Sequence, residues 1–505
     1  MPSQLLRTKS IDKLLAEAAA EGHRLRKSLG PWSLTALGIG AIIGTGIFVL
    51  TGTAAAGEEL VVASVWKAPV LDLLLHGTEA LGTSGRPGAG PGIALSFLLV
   101  ALVCALAGLC YAELASMIPI AGSAYTYSYA TLGEIVAWII GWDLILEYAV
   151  SNMAVAVGFS AYIDSLLRNL GIHLPRQFMG PMFVAGQRTE SYFNVPGFLI
   201  VMVITVILVL GIRESAGANS FMVTVKIAAI LIFIIFASRH IETTNWTPFM
   251  PNGWQGVLTG GAIVFFTYIG FDSVSTAAEE CKNPQRDVPF GIIASLVVCA
   301  ILYVAVAVVL TGIQHWQTLR NAAPVANALE AIGLHRIQRW VTIGALTGML
   351  SSLLVFQLGQ ARVWFAMSRD GLLPRAFSKV HPRFRTPYLS TIAAGTFVAI
   401  PAGIFDIGTL ADLSNIGTLF AFMLVSLGVI ILRRRQPERQ RAFRTPWVPF
   451  VPILAILCCL TLMLSLPLET WARFFVWLII GLVIYFAYSK RRSEFASQPG
   501  EAKPS

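Results

Sequence analysis

Long apolar segments alternate with short polar segments along most of the chain. A helix of about 20 apolar residues spans a bilayer, and twelve segments of this kind occur. They lie near residues 33–54, 92–117, 134–163, 194–212, 219–238, 255–279, 289–313, 338–366, 388–405, 408–432, 447–466 and 470–488. Barrel strands would instead alternate in hydrophobicity over about ten residues. The pattern therefore predicts an all-α polytopic membrane protein with twelve transmembrane helices.

Composition agrees with a membrane protein and excludes other classes. Of the 505 residues, 56% are hydrophobic and 12% are charged, whereas about 25% of the residues in soluble domains are charged. Intrinsic disorder requires low hydrophobicity and is excluded for the same reason. The net charge of +9 lies in short clusters between apolar segments. Because zinc-finger spacing and aromatic-rich basic helices do not occur, we expect no nucleic-acid partner.

The distribution of Lys and Arg predicts the orientation of the chain. With both termini inside, the inner segments hold 24 of these residues and the outer loops hold 10. The positive-inside rule then places both termini in the cytoplasm. Residues 1–30 have no apolar h-region and predict a cytoplasmic arm rather than a signal peptide. Residues 489–505 predict a disordered cytoplasmic tail.

A long outer loop is predicted at residues 57–91. Its apolar stretch, residues 60–75, is broken by Pro69 and is too short to span a bilayer. We therefore expect a surface or interfacial helix there, and the sequence does not indicate its role.

The first predicted span is rich in glycine, with four in nine residues: Gly38, Gly40, Gly44 and Gly46. Close packing of small residues explains Gly40 and Gly44, which lie on one helix face. It does not explain Gly46, because glycine costs about 1 kcal/mol of helix propensity. The sixth span has a matching weak point at Gly270, followed by Asp272. Acidic residues at mid-membrane are rare and usually functional.

The two weak points lie five helices apart, at corresponding positions of two five-helix halves with opposite orientation. Interrupted helices at matching positions are the best sequence indication of a transport site at the membrane midplane. Two unrelated packing glycines are the alternative interpretation.

Motifs spread over residues 25–490 carry a specific resemblance to a known family. They are GAIIGTGIF, YIGFDSVSTAAEE, CKNPQRDVP, PIAGSAYTYSYATLGE, GWDLILEY, FAMSRDGLLP, LSNIGTLFAF and RAFRTPWVPFVPILA. On these motifs the chain resembles the amino acid–polyamine–organocation (APC) superfamily, and within it the bacterial relatives of the cationic amino acid transporters. The loop at residues 57–91 departs from the shortest members.

The resemblance implies two inverted five-helix repeats, at residues 31–238 and 239–432, and two further helices at residues 433–488. Helices 1 and 6 are expected to unwind at mid-membrane, where the substrate binds. The implied protein is a plasma-membrane transporter that moves L-amino acids, cationic or broad in range, by alternating access. No cofactor and no metal are implied.

The resemblance also places the substrate. The residues carried over are Ile42, Ile43, Gly44, Thr45, Gly46, Phe266, Thr267, Ile269 and Ser352. A half-helix that begins near Thr45 presents free N–H groups and a positive dipole end to a carboxylate. Unwound carbonyls at Ile42, Phe266, Thr267 and Ile269 are expected to accept hydrogen bonds from the α-ammonium, and the ring of Phe266 to cover the substrate.

Ser351 and Ser352 lie on helix 8, where small polar residues leave room for a long side chain. Hydrogen bonds to carbonyls of the preceding turn are the alternative interpretation of these serines.

The coupling candidates are Lys226, Glu147 and Asp272. Sodium-coupled relatives hold an ion between helices 1, 5 and 8, and an ammonium from Lys226 in that place predicts sodium-independent, proton-linked transport. A lysine that extends to the membrane interface is the alternative. Glu147 shares a helix face with Asp143 and is expected to carry a proton or to face a basic substrate group. Asp272 takes part in coupling or caps the second half of helix 6.

Other classes of function fit the sequence less well. The motifs H-E-x-x-H, G-x-S-x-G and the P-loop do not occur, so neither an enzyme nor a nucleotide-driven pump is expected. A channel would need a ring of pore-lining ligands, and a sensor with this fold would favour longer tails. Exchange instead of symport, the preferred side chain, the oligomeric state and a small membrane partner stay open.

Overall fold

A computed structural model describes most of the chain. The described ranges are residues 4–19, 29–59, 64–77, 84–120, 122–169, 171–184, 187–210, 215–278, 281–321, 323–384 and 386–493. The α-helices are α1 (Ile11–Ala19), α2 (Pro31–Ile42), α3 (Thr51–Ala56), α4 (Val70–His76), α5 (Ile93–Met117), α6 (Ala124–Thr131), α7 (Glu134–Asn169), α8 (Val195–Leu210), α9 (Ser215–Ala237), α10 (Gly253–Val264), α11 (Ser273–Thr276), α12 (Pro284–Ile313), α13 (Pro324–Ala331), α14 (His335–Arg369), α15 (Tyr388–Ala402), α16 (Ile407–Arg435), α17 (Phe450–Leu464), α18 (Leu468–Ile484) and α19 (Lys490–Arg492). Two short antiparallel pairs join β1 (Gly57–Glu59) to β2 (Ser84–Pro87) and β3 (Phe183–Val184) to β4 (Gln187–Arg188).

Within these ranges, nine helical segments are long and apolar enough to cross a membrane. Three shorter apolar helices, α8, α15 and α17, occupy the predicted spans at 194–212, 388–405 and 447–466. At 16, 15 and 15 residues they extend about 24 Å, less than the hydrocarbon core of about 30 Å. The prediction of an all-α polytopic membrane protein is thus confirmed.

Helices at corresponding positions in the two halves of the chain pack against each other. The pairs are α5 with α12, α7 with α14, and α8 with α15. In addition, α7 (the third membrane helix) packs on α16 (the tenth), and α14 (the eighth) packs on α9 (the fifth). The second contact is equivalent to the first with the two halves of the chain exchanged. The pattern of helix contacts therefore repeats after five membrane helices.

The predicted interfacial stretch of the loop at residues 57–91 forms two short elements instead of one helix. A 3-10 turn covers Val65–Lys67 and α4 begins directly after Pro69, since proline has no N–H to continue a helix. Residues 60–63 lie outside the described ranges. A backbone bridge joins Pro69 to Pro467, and Lys67 pairs with Glu469. This part of the loop is therefore tied to the turn between α17 and α18.

A buried ion cluster ties the loop to two helices. Arg86, only 4% exposed, donates from Nε and Nη2 to the Glu58 carboxylate at 2.9 and 2.7 Å, and from Nη1 to Asp412 Oδ1 at 2.8 Å. Glu58 follows the end of α3, and Asp412 lies near the start of α16. Burial raises the pKa of Glu58, but the Arg86 charge and hydrogen bond outweigh it and hold that pKa below its usual value.

Both ends of the described chain pack on the helix bundle. Before α1, the buried Lys9 ammonium lies 3.3 Å from Asp370 Oδ1, and the Tyr125 hydroxyl donates to Asp370 Oδ2 at 2.6 Å. After α18, the Ser489 hydroxyl donates to the Leu372 carbonyl at 2.7 Å. The tail predicted to be disordered from residue 489 is helical as far as Arg492, and residues 494–505 lie outside the described ranges.

The ion cluster predicts a large stability effect for Arg86→Gln. The substitution leaves the buried Asp412 carboxylate and the partly exposed Glu58 carboxylate without their cation, and loss of a partner for a buried charge costs about 3–5 kcal/mol. We expect the thermal unfolding midpoint in detergent to fall clearly at pH 7. The matched control is Arg473→Gln, which breaks a half-exposed pair with Glu469 and costs about 0–1 kcal/mol.

The pH dependence follows from Glu58. Its pKa is lowered in the folded state, so its contribution is present above the unfolded-state pKa and is lost as the pH falls through the folded-state pKa. The part of the difference between wild type and Arg86→Gln that comes from Glu58 should therefore be lost as the pH falls from above the unfolded-state pKa of this carboxyl through its lower folded-state pKa. Equal midpoints for the two proteins at pH 7 would contradict this account.

Candidate functional site

Regular α-helix is interrupted within the first span. Regular α-helix ends at Ile42, Ile43 is extended with φ −79° and ψ 91°, and a π-helical turn covers Gly46–Leu50 before α3. The Thr45 hydroxyl donates to the Val155 carbonyl of α7 at 3.3 Å. All residues from 38 to 52 are buried, so this irregular backbone lies inside the protein, where membrane proteins tolerate it.

The sixth span has a similar interruption. After α10 ends at Val264, a 3-10 turn covers Phe265–Tyr268, Ile269 is extended, and α11 begins at Ser273. Gly270 has φ +119°, a conformation that side chains disfavour. The Ile269 amide donates to the Phe266 carbonyl at 3.3 Å.

The two interruptions lie against each other. A Cβ atom on Gly46 would lie 2.8 Å from Thr267 Cα, and one on Gly270 would lie 2.7 Å from Ala41 Cβ. Only glycine at both positions allows this approach, because real Cβ atoms do not come so close. Gly46 and Gly270 therefore lie at the interruptions and also allow the two interruptions to pack against each other.

Tyr303 of α12 joins the two interruptions and was missed by the sequence analysis. Its buried hydroxyl lies 2.9 Å from both the Ile42 and the Thr267 carbonyl oxygens. These are two of the carbonyls predicted to accept the α-ammonium. The sequence signal that could have identified Tyr303 is its position inside an apolar run. A buried tyrosine hydroxyl usually finds a hydrogen-bond partner, so a polar group was to be expected near it.

The Lys226 ammonium is fully buried at the end of α2. Its Nζ donates to the Gly40 and Ile43 carbonyls, each at 2.8 Å, and to Ser351 Oγ at 2.9 Å. Three acceptors match the three N–H donors of an ammonium. Among the described residues, no carboxylate lies within ion-pair distance of Nζ.

The two serines of α14 face the interrupted end of α2. Ser352 Oγ lies 2.9 Å from the Gly40 carbonyl and 3.2 Å from the Ile43 carbonyl. A Cβ on Gly44 would lie 2.7 Å from that hydroxyl. Both serines also reach the Gly348 carbonyl of the preceding turn, at 2.9 Å from Ser351 and 3.3 Å from Ser352.

A buried acidic cluster lies beside the second interruption. The Tyr148 hydroxyl of α7 donates to Asp272 Oδ2 at 2.8 Å, and Asp272 makes no side-chain capping bond to α11. Within the described part of the chain, Asp272 Oδ1 and both carboxylate oxygens of Glu147 and Asp143 have no hydrogen-bond partner. Phe266 is 4% exposed and lies in the 3-10 turn between α10 and Asp272.

Comparison with known proteins places this architecture in a family. The model of the amino acid permease family matches residues 29–485. The chain therefore belongs to that family, and its resemblance to the APC superfamily is confirmed. It is a multi-pass membrane protein for amino acid transport and not an enzyme.

Individual relatives align over most of their length. The chain is 48% identical, over 98% of its residues, to the branched-chain amino acid permease BcaP of Bacillus subtilis, of which it covers 99%. It is 44% identical, over 97% of its residues, to the methylthioribose transporter of the same organism, of which it covers 99%. It is 35% identical, over 86% of its residues, to the vacuolar cationic amino acid transporter 4 of Arabidopsis thaliana, of which it covers 68%.

The contact between the interruptions predicts the effect of Gly46→Ala. The added methyl group would have to displace backbone at Thr267, and such overpacking costs about 1–3 kcal/mol. We expect uptake of labelled amino acid into liposomes to fall between about fivefold and about a hundredfold. Gly30→Ala is the matched control, because a Cβ there has nothing within 4 Å. Normal uptake by Gly46→Ala would show that the two interruptions need not touch during transport.

Proposed function

We propose that the chain is a sodium-independent, proton-coupled secondary transporter that moves L-amino acids across the plasma membrane by alternating access. The observation that carries this proposal is the Lys226 ammonium, held by the Gly40 and Ile43 carbonyls and by Ser351. Helices α2, α9 and α14 supply these groups, and they correspond to membrane helices 1, 5 and 8. A fixed ammonium at this place removes the need for a sodium ion.

The proposed architecture has twelve spans, with both termini in the cytoplasm and two inverted repeats at residues 31–238 and 239–432. Support comes from the repeated helix contacts, in which α5, α7 and α8 pack on α12, α14 and α15. Tilting and local thinning of the bilayer accommodate short helices such as α15. Helices 11 and 12, residues 433–488, then stand outside the repeats.

The proposed substrate site lies between the two interruptions. The Ile43 amide donates to the Ile39 carbonyl and the Gly44 amide to the Ile42 carbonyl, each at 3.0 Å. The substrate carboxylate is therefore proposed to bind at the first turn of the helix that restarts after Thr45, near Gly46, because the first N–H groups of a helix lack intrahelical partners. The Ile42 and Thr267 carbonyls accept hydrogen bonds from the α-ammonium of the substrate after the Tyr303 hydroxyl has moved away from them. Recognition of the α-ammonium and carboxylate by backbone groups fits relatives that are named for branched-chain and for cationic amino acids, but not the relative that is named for methylthioribose.

The side chain of the substrate is proposed to extend past Phe266 toward Ser352, with a range that is broad and includes cationic amino acids. Names of the relatives support this breadth, since they include branched-chain and cationic amino acids. The Glu147 carboxylate and the free Oδ1 of Asp272 are proposed to give the site acceptors for basic side chains.

Proton coupling is proposed to act through the direction of one hydrogen bond. Carbonyl oxygens only accept, so the Gly40 and Ile43 carbonyls serve both the charged and the neutral amine of Lys226. The Ser351 hydroxyl accepts from an ammonium but has to donate to a neutral amine, and it then releases the Gly348 carbonyl. Loss of the proton therefore loosens the contact between α9, α14 and the end of α2.

Glu147 and Asp272 are proposed to share the coupled proton on its way to the substrate site. Two charged carboxylates without partners would cost several kcal/mol in the membrane interior. Tyr148 supplies one hydrogen bond to Asp272, which orients this carboxylate and leaves its second oxygen free to bind a proton.

The decisive experiment compares wild type with Lys226→Gln in liposomes without sodium. We expect an inward proton gradient to stimulate uptake of labelled alanine by wild type and to have no effect on the variant. Lys379→Gln is the control, because Lys379 is exposed. Ser351→Ala provides a second variant, with a shifted pH profile of uptake as the expected result.

Three outcomes would contradict the proposal. A sodium requirement in wild type would mean that Lys226 does not replace the cation. Uptake only into vesicles loaded with amino acid would identify an exchanger. Absence of transport under every gradient, with retained amino acid binding, would indicate a sensor.

A separate prediction concerns Glu147→Gln. If Glu147 carries the coupled proton, the Glu147→Gln variant should show no stimulation of alanine or lysine uptake by an inward proton gradient. Binding of alanine should persist. Glu438→Gln, at an exposed carboxylate, should behave as wild type. A loss restricted to lysine and arginine would instead assign Glu147 to the substrate side chain.

A further inference from the structure

A cavity separate from the proposed substrate site lies between α4, the start of α10 and the end of α17. Its volume is about 360 Å³, and its lining includes Asp72, His76, Gln255, Leu258 and Ser465. Pockets of this size hold small molecules or lipid headgroups. Residues 69–76 of the outer loop form one wall, so this part of the loop lies at a cavity that is not part of the proposed transport site.

Asp72 is the unusual residue of this cavity. The residue is only 8% exposed and lines the cavity. Within the described part of the chain, no hydrogen-bond donor and no cation contacts its carboxylate. Lys67, the nearest cation along the chain, pairs with Glu469 instead. Because this unpaired carboxylate lines the cavity and hydrogen bonds from a charged donor to a carboxylate are the strong ones, the site favours a ligand with a cationic N–H donor.

The cavity also offers donors for a negative group. Gln255 carries an amide and Trp254 an indole N–H, and both line the same cavity. The Asn252 amide is occupied, since it donates to the Gly88 carbonyl at 2.8 Å. Neither Lys nor Arg lines the cavity. Besides His76, the polar part of the site therefore has one acid and a few neutral donors, which matches a zwitterion better than an anion.

The mouth of the cavity is apolar. Leu74, Leu75 and Trp254 are 69%, 68% and 65% exposed, and the latter two also line the cavity. Tryptophan is enriched at the membrane–water interface. An acyl chain covers such a surface, whereas a soluble amine leaves it in water.

We propose that this cavity binds a phospholipid with a primary ammonium headgroup, such as a phosphatidylethanolamine. The ammonium donates to the Asp72 carboxylate, the phosphate accepts from Gln255 and Trp254, and the acyl chains lie along Leu74 and Leu75. A phosphatidylcholine headgroup carries three methyl groups on nitrogen and has no N–H for Asp72. The site therefore discriminates between two common headgroups by a single hydrogen bond.

The test is competition between lipids on the purified full-length protein, read by native mass spectrometry. A hydrogen bond to a charged group corresponds to about tenfold in binding. We expect wild type to retain phosphatidylethanolamine about tenfold over phosphatidylcholine of the same chains, and Asp72→Asn to retain both equally. Glu190→Gln, at an exposed carboxylate of another loop, should keep the wild-type preference.

A lipid series makes the test independent of folding of the variant. On wild type, retention should be similar for the primary amine and its monomethyl and dimethyl forms, which all keep an N–H for Asp72, and should fall at the quaternary form, which has none. Equal retention across the series would overturn the proposal. Equally strong competition by glycerophosphoethanolamine, which lacks acyl chains, would identify a site for soluble amines and overturn the lipid assignment.

Discussion

The rest of the site depends on one constraint, that carbonyl groups released where a helix stops inside a membrane protein need hydrogen-bond donors. Where α2 stops, the Lys226 ammonium, the Ser352 hydroxyl and the Tyr303 hydroxyl supply these donors. They come from α9, α14 and α12, so the end of α2 is fixed by three neighbouring helices. This network turns a broken helix into a defined site.

The same constraint links the site to movement. The hydrogen bonds that hold this break come from other helices, so they change when those helices or their donors change, whereas an unbroken helix depends on its own backbone bonds. Protonation of Lys226 changes the donors in this network. Binding of substrate to the Ile42 and Thr267 carbonyls changes them as well. In the proposed function, proton and substrate therefore act on the same few atoms, which is what coupling requires.

The sequence predicted the apolar helices well, because hydropathy is a local signal, and glycine spacing drew attention to the ends of α2 and α10 for the same reason. Lys226 was also predictable, as a cation inside an apolar run. Tyr303 and the Arg86 cluster were not, since their partners lie far away along the chain, at Ile42, Thr267 and Asp412. The loop near Pro69 was predicted as one helix because composition alone does not reveal its bridge to Pro467.

Proton movement during uptake tests the central claim most directly. Liposomes with a trapped pH indicator and no sodium receive external alanine without any applied gradient. The account predicts acidification of the interior in step with alanine uptake by wild type, and no pH change with Lys226→Gln. Alanine uptake by wild type without acidification would contradict proton coupling through Lys226.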